Sequence, residues 1–183
     1  PPSALQFLQR FSQSPAYAEL QTEWQMLRKY KASWASAPYP PVFVTVDALV
    51  RCGQEVLVIR RGHAPGKGLL ALPGGFLEPR DTLWQSCLRE LQEETHCALD
   101  EPALRAALQS VSVFDHPDRS QRGRTITHVH YFDLPHGPKP AVRADDDAAE
   151  AFWLSIDTIR GREAEFFEDH FQILQKVLAG SGQ

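Results

Sequence analysis

Three glutamates, Glu90, Glu93 and Glu94, lie within one short segment of the chain. Residues three and four apart are neighbours on the surface of an α-helix, so a helix here would place three carboxylates on one arc. Carboxylates this close repel one another, and a hard divalent cation bound through oxygen ligands would cancel that repulsion. The triplet therefore predicts a metal site, and a solvated acidic helix face is the alternative reading.

The flanking residues predict the helix that would carry these carboxylates. Thr82 or Asp81 is a suitable N-cap, and Gly74 and Gly75 form a predicted glycine turn ahead of it. A stripe of apolar residues recurs at helical spacing and would face the core: Leu83, Trp84, Cys87, Leu88 and Leu91.

The spacing of these features resembles the Nudix box of pyrophosphohydrolases. That box is a glycine, five residues, Glu, seven residues, and then Arg-Glu-apolar-x-Glu-Glu-x-Gly-apolar; Gly75, Asp81 and Arg89 occupy its first three fixed positions here. Asp81 replaces the usual Glu but keeps the charge. His96 replaces the usual Gly at the end of the helix, where a left-handed backbone would strain it. Neither departure touches the three glutamates.

Length and composition are those of an ordinary globular protein. The 183 residues, 43% hydrophobic and 23% charged, suffice for one domain with a sizeable core and an appended piece. The net charge of −4 argues against a nucleic-acid partner, and no apolar run approaches the ~20 residues of a membrane span. Cys52, Cys87 and Cys97 form no close metal-type pair, which predicts reduced thiols in the cytoplasm.

The periodicity of the chain predicts an α+β fold. Residues 1–37 suggest two amphipathic helices broken at Ser14-Pro15, and the prolines of residues 38–41 form a linker. β-Branched runs at 42–50 and 55–60 predict a hairpin. Further predicted elements follow in the order helix 102–108, strand 109–114, strand 124–134, strand 151–155 and helix 163–179. A mixed sheet with helices on both faces results.

A longer resemblance covers nearly the whole chain. Residues 34–76 and 123–128, together with the stretch Asp-Asp-Ala-x-Glu-Ala-x-Trp, are similar to the C-terminal half of bifunctional NMN adenylyltransferase/Nudix hydrolases. In that family the Nudix half hydrolyses ADP-ribose, and an adenylyltransferase domain comes first. The resemblance implies an α/β/α Nudix sandwich for residues 38–183, with Mg²⁺ or Mn²⁺ as cofactor. It also implies that residues 1–37 are the tail of a missing adenylyltransferase domain. The start at Pro1, without Met, separately suggests an excised fragment.

The residues themselves, and in one case the resemblance, suggest individual roles. Glu90 and Glu94, one turn apart, are the first expected metal ligands, and Glu93 adds charge to the site. By resemblance, the carbonyl of Gly74 is a further ligand. Arg89 is expected to pair with a carboxylate and hold the loop and the helix rigid.

The general base is left open among several acidic residues. Related ADP-ribose hydrolases take a base or an extra ligand from a late loop, and Glu150 is the best-placed candidate. Glu93, Asp146 and Asp147 are alternatives, and Glu94 belongs to the same predicted catalytic set. Residues 145–147 could equally be a solvated acidic turn.

The expected substrate contacts are basic loop residues and one aromatic ring. Arg61, Lys67, Arg122 and Arg124, with Arg60 beside them, could bind phosphate, although only some of these basic residues should be real contacts. Phe76 could pack on the base or ribose, or belong to the core.

Three functional classes follow from this sequence. The first is an ADP-ribose pyrophosphatase giving AMP and ribose 5-phosphate. The second is a Nudix hydrolase of another nucleoside diphosphate, such as a sugar nucleotide or an oxidised nucleotide. The third is a non-catalytic sensor that binds ADP-ribose. The amphipathic N-terminal helices and the final helix could also form the face of a homodimer.

Overall fold

The structure is a computed structural model that describes residues 3–145 and 147–180. The chain divides into two compact units, Pro1–Pro40 and Pro41–Gln183, and each is described by itself. The helices are α1 (Ala4–Ser12), α2 (Pro15–Ser33), α3 (Leu83–Thr95), α4 (Glu101–Ala107), α5 (Ile156–Ile159) and α6 (His170–Gly180). The strands are β1 (Val42–Cys52), β2 (Glu55–Arg61), β3 (Leu70–Ala71), β4 (Gly74–Phe76), β5 (Leu108–Phe114), β6 (Arg124–Leu134) and β7 (Ala148–Ser155).

The first unit consists of the two predicted helices, and the break at Ser14-Pro15 is confirmed. Ser3 and Gln6 form a capping box at the start of α1. Ser14 caps α2, with Pro15 in the first turn, where a missing N–H costs nothing. No described residue of α1 or α2 is buried. The assignment of this unit to the tail of another domain stays a prediction.

The second unit is built on one mixed sheet of seven strands. The strand order is β3-β2-β1-β6-β5, with β4 also paired to β1 and β7 also paired to β2. β1 and β6 run parallel along their whole length, whereas the other pairs are antiparallel. The predicted hairpin joins β1 to β2, and Gly53 in the turn has a left-handed φ of 60°. Among the described residues, no helix is long and apolar enough to cross a membrane.

Buried side chains form one layer on each face of this sheet. Val46 of β1 packs in the layer that contains Cys87 and Leu91 of α3. Leu49, an odd number of residues further along, belongs to the opposite layer with Leu174 of α6. The predicted α+β class and the α/β/α sandwich are therefore confirmed for this unit.

Three parts of the sequence prediction were wrong: the glycine segment, the last helix and the start of β7. Gly74 and Gly75 lie in β4, paired with β1, rather than in a turn. The predicted helix 163–179 begins only at His170, after a 3₁₀ turn at Glu163–Glu165. Between the 3₁₀ turn and α6 the chain contacts β3, because the N–H of Phe167 donates to the carbonyl of Leu70 at 2.8 Å. β7 also begins at Ala148, three residues earlier than predicted.

Candidate active site

Helix α3 positions the acidic residues, and its local signals are those predicted. The Thr82 side chain accepts the N–H of Gln85, and the Gln85 side chain accepts the N–H of Thr82, which makes a capping box. Cys87 and Leu91 are buried against the sheet. His96 ends the helix with a left-handed φ of 41°, as expected from its place in the box.

Glu94 is a buried carboxylate held by the backbone of β4. It is 4% exposed, and its Oε2 accepts the N–H of Gly74 at 2.9 Å. Burial is the largest cause of a raised pKa of Glu94, which is about 8; the charges of Glu90 and Asp47 also raise this pKa, and the Gly74 N–H and the Arg61 charge lower it. Its negative charge is therefore incompletely compensated by the protein, and a bound cation would hold it ionised.

The two glycines of β4 allow a close approach rather than an unusual backbone angle. Neither has a left-handed φ. A Cβ at Gly75 would lie 2.5 Å from the Cδ of Glu90, and one at Gly74 would lie 2.2 Å from the carbonyl oxygen of Val46. The Glu90 carboxylate thus packs directly on β4, the same strand from which the Gly74 N–H donates to Glu94.

Arg89 binds carboxylates on both sides, which confirms its predicted pairing. Its Nη1 lies 2.8 Å from Glu93 Oε2 and 2.9 Å from Glu90 Oε1. Its Nε lies 3.5 Å from Asp81 Oδ2, and its Nη2 donates to the carbonyl of Phe76 at 3.4 Å. Together these contacts tie the loop after β4 to α3.

The acidic residues have the chemistry of a divalent metal site. Carboxylates and the Gly74 carbonyl are hard oxygen donors, which suit Mg²⁺ or Mn²⁺. Glu90 and Glu94 lie along β4, while Glu93 is turned to Arg89 with its side chain 44% exposed. In this conformation no three His, Cys, Asp or Glu side chains of residues 3–145 and 147–180 are grouped closely enough to hold a metal ion. The donor set fits, with Glu90 and Glu94 as its best-placed members.

Two arginines and two phenylalanines form what we call the arginine–aromatic cluster: Arg61, Phe76, Arg122 and Phe167. The Cζ of Arg61 lies 4.2 Å from the ring centre of Phe167. The Cζ of Arg122 lies 5.0 Å from the ring centre of Phe76 and 5.6 Å from that of Phe167. Burial and the nearby Arg122 charge lower the pKa of Arg61. Three of the predicted substrate residues are thus together, with concentrated positive charge that would favour an anion.

Three other predicted residues make no hydrogen bond, ion pair or cation–π contact with this cluster within the described residues. Lys67 is exposed on the loop that follows β2. Arg124 donates to the carbonyl of Asp115 at the start of β6. Glu150 lies beside Arg60 across the β2–β7 pair at 2.9 Å, and its side chain is 58% exposed. Their proposed roles stay predictions.

The acidic segment before β7 is attached to two parts of the domain. Asp145 Oδ2 lies 2.7 Å from His96 Nε2 at the end of α3. Asp147 Oδ1 lies 3.8 Å from His63 Nε2 in the loop after β2, and both side chains are largely exposed. Asp146, the other alternative base, lies outside the described residues.

Sequence reasoning missed Asp47, Phe167 and Glu168. Asp47 is 5% exposed, pairs with Gly74 across β1 and β4, and accepts a hydrogen bond from Thr127. The sequence did contain a signal for Asp47, which is a single charged residue within a predicted strand. Charged side chains are rarely buried without a partner. Phe167 and Glu168 were missed because a continuous helix was predicted through them.

Comparison with protein families agrees with this geometry. A family model described as the NUDIX domain matches residues 41–177, which include β4, α3 and the arginine–aromatic cluster. The chain belongs to the NUDIX domain family.

Three relatives show what this NUDIX chain is similar to. It is 34% identical over 116 residues to an ADP-ribose pyrophosphatase of Methanocaldococcus jannaschii, covering 63% of each chain. It is 28% identical over 166 residues to the ADPR responsive transcriptional repressor NtrR of Acinetobacter baylyi, covering 87% of this chain and 62% of that protein. A crystal structure of a bifunctional NMN adenylyltransferase/ADP ribose pyrophosphatase from Francisella tularensis, complexed with AMP and Mn ion, matches with a TM-score of 0.92 and 42% identity. That match covers 97% of this chain and 53% of the Francisella chain, so this chain spans between half and two thirds of the length of these relatives.

Proposed function

We propose that this chain hydrolyses the pyrophosphate bond of ADP-ribose to AMP and ribose 5-phosphate, with Mg²⁺ or Mn²⁺ as the metal. The observation that carries the proposal is the nearness of two opposite charge sets. Glu90 and Glu94 line β4, and Arg61, whose charge acts on Glu94, lies with Arg122 in the arginine–aromatic cluster. Two of the similar proteins are named as ADP-ribose pyrophosphatases.

The acidic residues and the arginines would have different roles at a pyrophosphate. Divalent ions held by Glu90, Glu94 and the Gly74 carbonyl would lower the pKa of a bound water and neutralise phosphate oxygens. Arg89 keeps Glu90 and the start of the loop in register, which matters because displacements near 1 Å can cost ~10²-fold in rate. Arg61 and Arg122 would bind phosphate oxygens through their planar guanidinium groups. Phe76, under Arg122, would border the nucleoside.

The first test is turnover of ADP-ribose with Mg²⁺ and with Mn²⁺. A phosphatase added in excess releases phosphate from both products, and free phosphate reports the rate. Glu94→Gln should abolish turnover, because the amide removes the buried anionic oxygen that faces β4. Glu165→Gln is the matched control, since Glu165 forms an exposed ion pair with Arg162. An unchanged rate for folded Glu94→Gln would refute the assigned metal site.

We also propose that Glu150 acts as the general base. Its ion pair with Arg60 is largely exposed, and such pairs are worth only ~0–1 kcal/mol, so the carboxylate can leave it at little cost. Glu150→Gln should lower kcat by about 10²–10⁴-fold with a nearly unchanged KM. A kcat close to that of the wild type would reject this role, and Glu93→Gln and Asp147→Asn would then be measured.

The turnover assay with a nucleotide panel, together with a binding measurement, distinguishes two other functions from ADP-ribose hydrolysis. A nucleotide panel with sugar nucleotides and oxidised nucleotides tests for a different pyrophosphate substrate. The 28% identity to the repressor NtrR motivates a sensor function. ADP-ribose binding by calorimetry without any cleavage, by a folded chain supplied with metal, would favour the sensor over the enzyme.

We further propose a homodimer in the cytoplasm, with residues 1–37 as the tail of a preceding adenylyltransferase domain. The exposed apolar side chains of Leu5, Phe7 and Leu8 on α1 offer a surface for association. The three cysteines are free and buried, as expected for reduced thiols. Light scattering coupled to gel filtration tests the dimer: a monomeric mass at micromolar concentration would reject it.

A further inference from the structure

Two loops of the second unit are held together by buried charged side chains. One loop, residues 115–123, joins β5 to β6, and the other, residues 160–169, joins α5 to α6. Arg119 and Asp169 form a two-point contact, with Nε to Oδ2 at 2.9 Å and Nη2 to Oδ1 at 2.8 Å. The Arg119 side chain is only 3% exposed, so this ion pair fixes the first loop to the second.

Glu168, the neighbour of Asp169, holds three successive residues of the first loop. Its Oε1 accepts the hydroxyl of Ser120 at 2.7 Å and the N–H of Gln121 at 3.3 Å. Its Oε2 lies 3.4 Å from Arg122 Nη2. The Glu168 side chain is 7% exposed, so these contacts are largely shielded from water.

The backbone of Glu168 adopts an unfavourable conformation, whose cost the contacts of its side chain offset. Its φ is 47°, in the left-handed region where glycine is favoured over residues that carry a Cβ. The contacts of the carboxylate with Ser120, Gln121 and Arg122 offset this local cost. A glycine at this position would relieve the backbone but would lose all three contacts.

The position of Arg122 follows from these contacts. Its guanidinium lies between the rings of Phe76 and Phe167, and its Nε contacts the same Ser120 hydroxyl that Glu168 accepts. Arg122 Nη1 makes no hydrogen bond within residues 3–145 and 147–180, and the Arg122 side chain is 17% exposed. Glu168 therefore fixes one edge of the guanidinium and leaves another edge for an anion.

We propose that Glu168 is a positioning residue, which holds Arg122 between Phe76 and Phe167 so that it can bind a phosphate of a nucleoside diphosphate substrate. The inference rests on the proposed function, because it concerns the substrate of that same site. Glu168 acts through Arg122 and the loop 115–123. Its loss should therefore weaken substrate binding and leave the chemical step nearly unchanged.

The test compares Glu168→Gly and Glu168→Gln with the control Glu165→Gln. For each variant, kcat and KM are measured with ADP-ribose, and the Kd of its α,β-methylene analogue, which cannot be cut at that bond, is measured by calorimetry. Thermal unfolding is measured in parallel. Glu168→Gly should raise KM and Kd at least about tenfold, the range of a lost hydrogen-bonded charge, with kcat nearly unchanged. Glu168→Gln keeps an acceptor oxygen and should show a smaller rise in both constants.

The possible outcomes separate this inference from the function on which it rests. A wild-type chain that neither cuts ADP-ribose nor binds the analogue would overturn the proposed function, and the role of Glu168 with it. An active wild type combined with unchanged KM and Kd in both variants would overturn the positioning role alone. A lower unfolding temperature with unchanged Kd would mean that Glu168 only stabilises the loops, which also overturns it. If Glu168→Gly does not fold, the KM and Kd of Glu168→Gln, which keeps the shape of the side chain, decide whether Glu168 positions Arg122.

Discussion

Replacing Gly75 with alanine tests whether this glycine makes room for the Glu90 carboxylate, which we propose binds the metal. The added Cβ would lie 2.5 Å from both Cδ and Oε1 of Glu90, and 2.7 Å from Oε2. Non-bonded heavy atoms pack best at about 3.5–4.0 Å, so the carboxylate would have to move by about 1 Å. The Glu90 side chain can rotate away, but only by leaving β4 and its contact with Arg89.

This displacement should affect activity far more than stability. Mg²⁺ requires oxygen ligands at about 2.0–2.1 Å, and a 1 Å misplacement is worth about 10²-fold in rate, which corresponds to about 2.7 kcal/mol. Gly75 has no left-handed φ, so alanine also restricts the unfolded chain at no backbone cost. We expect the free energy of unfolding to change by less than about 1 kcal/mol.

The assay pairs phosphate-release kinetics over a Mg²⁺ titration with urea unfolding of the same samples. Gly74→Ala is the contrasting variant, because its Cβ would meet the carbonyl oxygen of Val46 at 2.2 Å, and backbone cannot rotate away. It should lose about 2 kcal/mol of stability or more. Gly180→Ala, with nothing within 4 Å of its Cβ, should leave both readouts unchanged. A folded Gly75→Ala variant with wild-type turnover and wild-type Mg²⁺ dependence would refute the reasoning.

Two further predictions concern the contacts around α6. Burial lowers the pKa of His170, whose Nδ1 accepts the N–H of Leu72 at 3.0 Å, so the folded chain binds this proton less readily than the unfolded chain. The free energy of unfolding should therefore decrease below pH 6.5 by up to about 1.4 kcal/mol per pH unit. Urea unfolding of the wild type and of His170→Gln between pH 5 and 8 checks this. Equal slopes of unfolding free energy against pH in the two proteins would contradict it. Arg119→Met leaves Asp169 without its partner and should cost about 3 kcal/mol in urea unfolding; a loss below about 1 kcal/mol would show that the pair is not a stabilising link.

The parts of the site that could be predicted from the sequence are those fixed by local pattern. The cap at Thr82, the apolar stripe of α3 and the left-handed end at His96 all depend on residues within a few positions of one another. The strands β1, β2 and β6 were likewise visible in their own composition, and their ends fall within two residues of the predicted positions. Helical spacing also placed Glu90 and Glu94 close together, before any tertiary contact was known.

The parts that could not be predicted depend on contacts between distant segments. Helical spacing of apolar residues continues through residues 163–179, where Phe166, Phe167, Ile173 and Leu174 are buried. The chain is nevertheless not helical at 166–169, because Phe166 forms a β-bridge with Leu70 and the N–H of Phe167 donates to the carbonyl of Leu70, far earlier in the chain. The role of Gly74 and Gly75 was also hidden, since their need for glycine arises from Val46 and from the Glu90 side chain rather than from a turn.

Substrate choice should therefore be separable from the acidic helix. The metal-side residues all lie on β4 and α3, whereas Arg122 is placed by Glu168 and the neighbouring Arg119–Asp169 pair, on two loops outside those elements. A change at Glu168 or in the Arg119–Asp169 pair would move the guanidinium of Arg122 without moving Glu90 or Glu94. Two chains with the same acidic helix can then prefer different nucleoside diphosphates. The KM of Glu168 variants across the nucleotide panel is the measurement that bears on this, because a purely local metal defect would change kcat for every substrate alike.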